Sequence, residues 1–372
     1  MLEYKLEHLM SFAQVTTGRH DANHAIETGK YRFYTCAYDY TFCDSYSFTG
    51  ECLILPGNGA NVGEVFYYNG KFDAYQRTYV IHNIQNVIPR YLYYYFKCNW
   101  KITGVAQQFG AATNYIKIGN FEDFKVKIYS QKLQHQIVEE LDCLTSIIEK
   151  QKKQLEELDN LAQSIFYDMF GDPIENEKGW NILNLNQIGN FKNGLNFRKH
   201  EKGHSIKVLG VGDFKDNKEI RDFKHIETVE ISDEISDDYL LKDEDIVFIR
   251  SNGSKDLVGR CIIVFPNKQE ITFSGFCIRF RRTDDNYISL FLLYLFKNES
   301  FKRYYINRSN GCNINNISQT TLSIIPIPSP PLSLQQEFAS KIEAIEKQKE
   351  LIKKSIKETE DLFNSRMDYY FN

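Results

Sequence analysis

The sequence predicts an α+β chain in which two mixed α/β globules alternate with two long helices, and two observations predict it. The first is a helical pattern that occurs twice, 201 residues apart: Leu133, Gln134, Glu149, Lys152, Lys153, Glu157, Leu161, Ser164 and Phe170 all recur at that offset. The second is that a segment of similar size, rich in glycine and aromatic residues, precedes each helix. Globule, helix, globule, helix is the pattern of a tandem duplication. The boundaries it predicts are 1–130, 131–170, 171–331 and 332–372.

In order along the chain, 52–55, 64–68 and 78–81 are short β-branched or aromatic runs bounded by turn residues and read as strands. A short helix is expected over 91–100, just after Pro89. From 131 to 170 the period changes. Leu141, Leu144, Ile148, Gln151, Leu155, Leu158, Ala162, Ile165 and Met169 step by three and four, which is a coiled-coil seam. Gly171-Asp172-Pro173 ends it, since glycine suits the left-handed cap and proline cannot continue the helix. In the second globule, 246–249, 260–265 and 278–281 read as strands and 290–296 as a helix. Pro326, Pro328, Pro330 and Pro331 make a stiff extended exit. The last helix places Ile342, Ile345, Ile352, Ile356 and Phe363 at the seam positions, with Lys349 and Thr359 interrupting it. Each helix has an apolar stripe that needs a partner, and the nearest is the other copy. An antiparallel intramolecular pair with pseudo-twofold symmetry gives both units equivalent surroundings.

Composition bounds the function. With 27 Phe and 24 Tyr in 372 residues the chain builds large cores. A net charge of −4 argues against a simple electrostatic nucleic-acid binder, but not against one that works through local patches. Eight scattered cysteines without a CxxC read as reduced core residues of a cytoplasmic protein. The N-terminus lacks a signal-peptide pattern, and the longest apolar run, 290–296, is too short to span a bilayer.

A search for chemistry finds none. No Walker loop is present, and Asp172-Pro173 and Pro330-Pro331 do not complete the Asn/Asp-Pro-Pro-aromatic tetrapeptide of a DNA amine methyltransferase. Asp123-Phe124-Lys125 and Asp213-Phe214-Lys215 have no matched upstream acid for a nuclease site. The acidic run 233–245 fits no EF-hand and reads as a solvated loop. His20 and His24 are a close histidine pair, but no cysteine cluster lies beside them, so no metal site is expected.

The globules echo each other. Asn58-Gly59 ahead of Val62-Gly63 parallels Asn252-Gly253 ahead of Val258-Gly259, and 107–116 parallels 308–314. These landmarks, with 29–35, Gly57-Asn58-Gly59-Ala60, 68–72, Met169-Phe170-Gly171-Asp172-Pro173 and Gln335-Gln336 after the prolines, resemble the specificity subunit of type I restriction–modification systems over the whole chain. The first exit departs from that pattern, with Lys127-Ile128-Tyr129-Ser130 where prolines are usual.

The resemblance implies a non-catalytic recognition subunit with two target-recognition domains. Each globule reads half of a bipartite double-stranded DNA target. The helices set the spacing and dock two modification (methyltransferase) subunits, and restriction (endonuclease/translocase) subunits join through that complex. No cofactor is expected on this chain; S-adenosylmethionine, ATP and Mg²⁺ belong to the partners. Off the seam, Ile147, Leu161, Leu351 and Leu362 are candidates for docking those partners.

Base reading needs paired donors and acceptors, and phosphate contacts need cations or small polar groups. In the first globule the candidates are Arg19, His20, Lys71, Gln76, Arg77, Gln107, Gln108, Thr113 and Asn114. In the second they are Lys192, Asn193, Asn196, Arg198, Lys199, Arg250, Ser251, Asn252, Lys255, Arg303, Arg308, Asn310 and Asn313. Most lie in expected loops beside glycine, and the plainer reading of each is an ordinary solvated loop residue. Arg279, Arg281 and Arg282 lie on a strand, where they can balance the acidic loop. The rival to DNA recognition is a coiled-coil interaction scaffold whose globules bind protein.

Overall fold

Two long helices, Gln131–Phe170 and Leu332–Phe371, account for 40 residues each, or about 60 Å at about 1.5 Å per residue. The computed structural model describes residues 3–105, 114–197, 203–214, 218–232, 235–254, 257–308 and 316–372. Contacts divide the chain into two units, 1–153 with 352–372, and 154–351. Each unit therefore contains one globule and a stretch of both long helices. No helix among the described residues is long and apolar enough to cross a membrane.

In the first unit, the strands Gln14–Thr17, Thr78–His82, Glu51–Pro56 and Phe66–Asn69 lie side by side in that order as an antiparallel sheet. A second sheet orders Thr41–Cys43, Tyr31–Tyr34 and Phe72–Ala74, the last two parallel. Lys5–His8 pairs with Lys125–Ile128 at the exit to the long helix. The helix Pro89–Asn99 begins at the proline itself, ahead of the expected start at 91, because proline's fixed φ suits the first helical position. Its buried Tyr91, Tyr94, Tyr95 and Phe96 join Leu53, Leu55 and Ile81 of the sheet in one core, which also takes Ile137, Leu141, Met367, Tyr370 and Phe371 from the long helices.

The second unit repeats this order and adds one strand. Gly189–Asn193, Cys277–Arg282, Asp245–Ile249 and Cys261–Val264 form the large sheet, to which Glu219–Ile220 adds a parallel edge. Thr228–Ile231, His204–Leu209 and Ile271–Phe273 form the small one. Asn181–Asn184 pairs with Pro326–Ser329 at the exit, just as the proline-free Lys125–Ile128 pairs in the first unit. The apolar run at 290–296 lies in the helix Ser289–Lys297, with every residue from Phe291 to Phe296 buried. The helix Glu299–Arg308 follows it, an element that the polar sequence there did not disclose.

Two glycines and two glutamines give the repeat its physical reason. A Cβ on Gly18 would stand 1.8 Å from the Ala74 carbonyl oxygen, and one on Gly194 would stand 2.1 Å from that of Ser274. Only glycine lets the chain pass so close to the edge of each small sheet. Gln134 and Gln335 are fully buried. Gln134 accepts from the Ile88 amide at 2.9 Å and donates to the Tyr129 carbonyl at 2.8 Å. Gln335 accepts from the Ile288 amide at 2.9 Å and donates to the Pro330 carbonyl at 2.9 Å. Each side-chain amide satisfies a backbone group at the start of the short helix and one at the start of the long helix. No apolar residue of that size can do so.

Candidate nucleic-acid interface

The loops at one edge of the first unit are stitched by backbone hydrogen bonds. The Gln76 amide donates to His20 at 2.9 Å, Gly57 to Arg77 at 2.9 Å, and Gly59 to Asn114 at 2.9 Å. Arg19, His20, Gln76, Arg77 and Asn114 are thereby gathered from three separate stretches of sequence. All but the half-buried His20 are exposed. Lys71 lies elsewhere, on the turn before Phe72–Ala74, with its ammonium 4.5 Å over the Tyr46 ring.

The second unit makes the equivalent cluster. The Gly275 amide donates to Leu195 at 2.7 Å, Arg250 to Phe276 at 2.8 Å, and Ile317 to Arg250 at 2.9 Å. Arg250, Ser251 and Asn196 meet there, with Ser251 bridged to Asn316. Asn252 has a local task, since its Oδ1 accepts from the Ser254 amide at 2.9 Å and holds the turn. Lys192 is engaged by Asp238 at 2.8 Å and lies over Tyr239. Asn193 Oδ1 is buried without a donor among the described residues. Arg303, exposed, sits on the helix Glu299–Arg308, which Arg308 ends. Gln107, Gln108, Thr113, Arg198, Lys199, Lys255, Asn310 and Asn313 lie outside the described residues.

The arginine run on Cys277–Arg282 is structural. Arg281 makes two hydrogen bonds of 2.8 Å to the Asp245 carboxylate, and Arg282 reaches Glu244 at 3.3 Å. Arg279 is 3% exposed, donates to the Asp238 carbonyl, and has its pKa pulled below the usual guanidinium value by burial and by Arg281.

Sequence reasoning passed over two groups at the surface. Phe276 is 60% exposed in the turn whose carbonyl the Arg250 amide meets. Arg32 lies between the rings of Tyr40 at 4.2 Å and Tyr68 at 4.5 Å, with Tyr38 68% exposed. Aromatic residues in strand-like runs read as core. Nothing in their spacing separates one that stays in water.

The helices make different contacts in the two units. In the first, Glu140 accepts from Arg366 at 2.9 Å and from the Tyr370 hydroxyl, and Gln151 donates to Ser355 at 2.7 Å. Those bonds, from Arg366 first, hold the Glu140 carboxyl below its usual range. In the second, Phe166 and Phe170 pack edge-on to Phe338, while Asp159 accepts from Lys349 at 2.9 Å and from Lys218. Burial opposes ionisation of Asp159, but the two ammonium groups hold its pKa below the usual value. Of the expected pairing residues, Leu141, Ile342, Ile345 and Ile356 are buried, and Leu144, Ile148, Leu155, Leu158, Ile165, Ile352 and Phe363 are half-buried. Phe166 and Phe170, off the expected seam, are buried more deeply than Ile165 and Met169. Lys349 is buried and paired rather than a gap in the seam. Ile147, Leu161, Leu351 and Leu362 are exposed.

This is a duplicated α/β protein with a polar loop cluster on each copy and long helices shared between them. A family model described as the type I restriction modification DNA specificity domain matches residues 3–159 and 177–361, and the chain belongs to that family. Members of the family are DNA-recognition subunits and not catalysts. Among relatives, the type I restriction enzyme StySPI specificity subunit of Salmonella potsdam is 28% identical over 73% of this chain and 61% of that protein. The chain thus spans about three fifths of that relative's length. The EcoDI specificity subunit of Escherichia coli is 26% identical over 95% of this chain and 84% of that one. The fold is that of the S subunit of a type I restriction–modification system from M. genitalium, with TM-score 0.59 and 16% identity over 98% of this chain and 95% of that one.

Proposed function

We propose that the chain is the DNA-specificity subunit of a type I restriction–modification complex and is not itself an enzyme. Each globule reads one half of a bipartite double-stranded target through its loop cluster. The observation that carries this reading is the pairing of a retained frame with different surfaces. Apart from the added Glu219–Ile220 edge, the strand orders of the two units coincide, while the equivalent turns carry Tyr75, Gln76 and Arg77 in one and Ser274, Gly275 and Phe276 in the other. Two readers of unlike half-sites require that combination. Arg19, Gln76, Arg77 and Asn114 serve the first half-site and Asn196, Arg250 and Ser251 the second, with Phe276 stacking on or wedging between bases.

The two long helices run antiparallel as an intramolecular coiled coil and set the distance between the half-sites. Contact order within each unit supports this. Glu140 meets Arg366 and Gln151 meets Ser355 in the first, and Asp159 meets Lys349 and Phe170 meets Phe338 in the second, so one helix ascends as the other descends. Exposed Ile147, Leu161, Leu351 and Leu362 then dock two methyltransferase subunits, and restriction subunits join through them. S-adenosylmethionine, ATP and Mg²⁺ act on those partners. With a net charge of −4 the chain alone binds DNA weakly, and the complex supplies the affinity.

Genome methylation mapping with and without the gene tests the reading. A two-part motif with a fixed spacer that disappears on deletion is expected. Replacing the first globule by that of a relative changes one half only. An unchanged methylome on deletion overturns the proposal.

A further inference from the structure

The first unit brings together three metal-ligating side chains from distant stretches of sequence. His20 precedes and His24 ends the short turn Ala22–His24, whose start is capped by Asp21 accepting from the Ala22 amide at 2.7 Å. That turn sets the two imidazoles in a stack, with ring centres 3.9 Å apart and planes within 9°. The Phe33 ring stands edge-on behind His24 at 5.4 Å. Bonding between the Gln76 amide and the His20 carbonyl fixes the loop to the end of Phe72–Ala74. At the centre of that strand is Asp73, which is fully buried. One ligand atom from each of His20, His24 and Asp73 lies within 4.8 Å of the other two.

We propose that His20, His24 and Asp73 bind one divalent transition-metal ion of the zinc type. Four points lead to this. A buried carboxylate is costly without a compensating cation. Among the described residues Asp73 receives only neutral donors besides the histidine: the Ala74 amide at 2.8 Å and the Ser45 hydroxyl at 3.2 Å. No lysine or arginine pairs with it among the described residues, and the neighbouring base is His20, with Nε2 at 3.4 Å from Oδ2. In a tetrahedral site with bonds of about 2.0–2.1 Å, ligand atoms stand about 3.4 Å apart, so this edge already has the required length.

Two imidazoles and one carboxylate are the donors that zinc, cobalt and nickel prefer, whereas magnesium and calcium need a shell of oxygens. The stacked rings need to splay modestly so that a nitrogen of each points at the ion. Ser45 is placed to orient the set, because its hydroxyl contacts both Asp73 and, at 3.0 Å, His24 Nε2. The ion ties the loop carrying Arg19 to the small sheet.

The second unit supplies an internal control. Asp73 faces Phe33 across the parallel strand pair, and Thr272 faces Val208 at the equivalent place. Thr272 is buried too, but its hydroxyl donates to the Tyr239 carbonyl at 2.9 Å, a neutral solution that needs no cation.

The test uses the full chain stripped with a chelator and no DNA, so its outcome is independent of the recognition function. Calorimetric titration with ZnCl₂ is expected to give one ion per chain, with no response to MgCl₂. CoCl₂ is expected to give the visible absorption of a four-coordinate site, which zinc displaces. Zinc is expected to slow amide exchange in 18–24 and 72–75 and to leave 271–274 unchanged. His20→Gln and His24→Gln each weaken binding by about 10-fold or more. The proposal is overturned if the wild-type chain binds no stoichiometric zinc, or if the His20→Gln/His24→Gln double variant, folded by circular dichroism, binds it as tightly.

Discussion

The turn between Phe72–Ala74 and Thr78–His82 in the first unit and the turn between Ile271–Phe273 and Cys277–Arg282 in the second occupy the same place in the same sheet order. Both follow a strand that a glycine crosses at close range, Gly18 in one case and Gly194 in the other. Yet one turn is Tyr-Gln-Arg and the other Ser-Gly-Phe. The backbone needs of the fold are met by glycine contacts and strand pairing, which do not depend on what projects from the turn. The projecting side chains are therefore free to differ. The long helices repeat the lesson. Gln134 and Gln335 do the same work with equivalent partners, while a few turns away one unit uses a Glu140–Arg366–Tyr370 group and the other a Lys349–Asp159–Lys218 group.

The strongest challenge to the equivalence is at Phe170 and Phe371, which are 201 positions apart and both almost fully buried. Phe170 packs on Phe291, and Phe371 on Tyr91, each on the short helix of its unit. Truncation of either to alanine is expected to cost about 3–5 kcal/mol. Urea titration checks this. If one costs less than half the other, the units are not equivalent at their cores.

Gln134→Ala and Gln335→Ala each strand a buried amide and a buried carbonyl, and are expected to cost about 1–3 kcal/mol apiece. Near-identical midpoint shifts support a common role, and a silent Gln335→Ala would separate the two units.

The turns are expected to differ where the frame agrees. Phe276→Ala should weaken engagement of one half-site by about 1–3 kcal/mol, the range of base–aromatic stacking, and Gln76→Ala should reduce discrimination at the other half-site alone. Methylation of targets mutated in one half at a time reads this directly. An effect of Phe276→Ala on both halves alike would break the assignment of one unit to one half-site.

The smallest expected effects are at the helix contacts. Glu140 and Asp159 have carboxyls lowered from 4.5 and 3.8, so each contributes stability that is present above its unfolded value and lost as pH falls through its lowered folded one. Arg366→Met should cost about 0–1 kcal/mol at neutral pH, because the pair is partly in water. It should also flatten the acid limb of the stability curve. Lys349→Met should be close to neutral, since an apolar side chain replaces a buried cation and Asp159 keeps Lys218. A large loss for Lys349→Met would mean that the buried ion group fixes helix register.

Periodicity decided much of this protein in advance. The 201-residue offset, the two long helices, the capping Gly171 and the helix begun by Pro89 all follow from local rules: apolar spacing, proline's fixed φ and glycine's left-handed freedom. The repeated Gln134 was legible as a repeat but not as a clamp, because its partners lie at Ile88 and Tyr129. The heptad seam placed Ile165 and Met169 inward, whereas Phe166 and Phe170 are buried more deeply than either. Only the packed globule decides which side of a helix it covers. Of the loop residues, polarity and adjacent glycine picked out Arg19, Gln76 and Arg250, but which of them meet is set by hydrogen bonds between turns far apart in sequence. His20 and His24 were visible as a pair. Asp73, which completes the group, sits in an unremarkable Phe-Asp-Ala strand, and a third ligand contributed across a sheet has no signature in spacing. Sequence determines what is periodic or adjacent. The tertiary structure decides what converges.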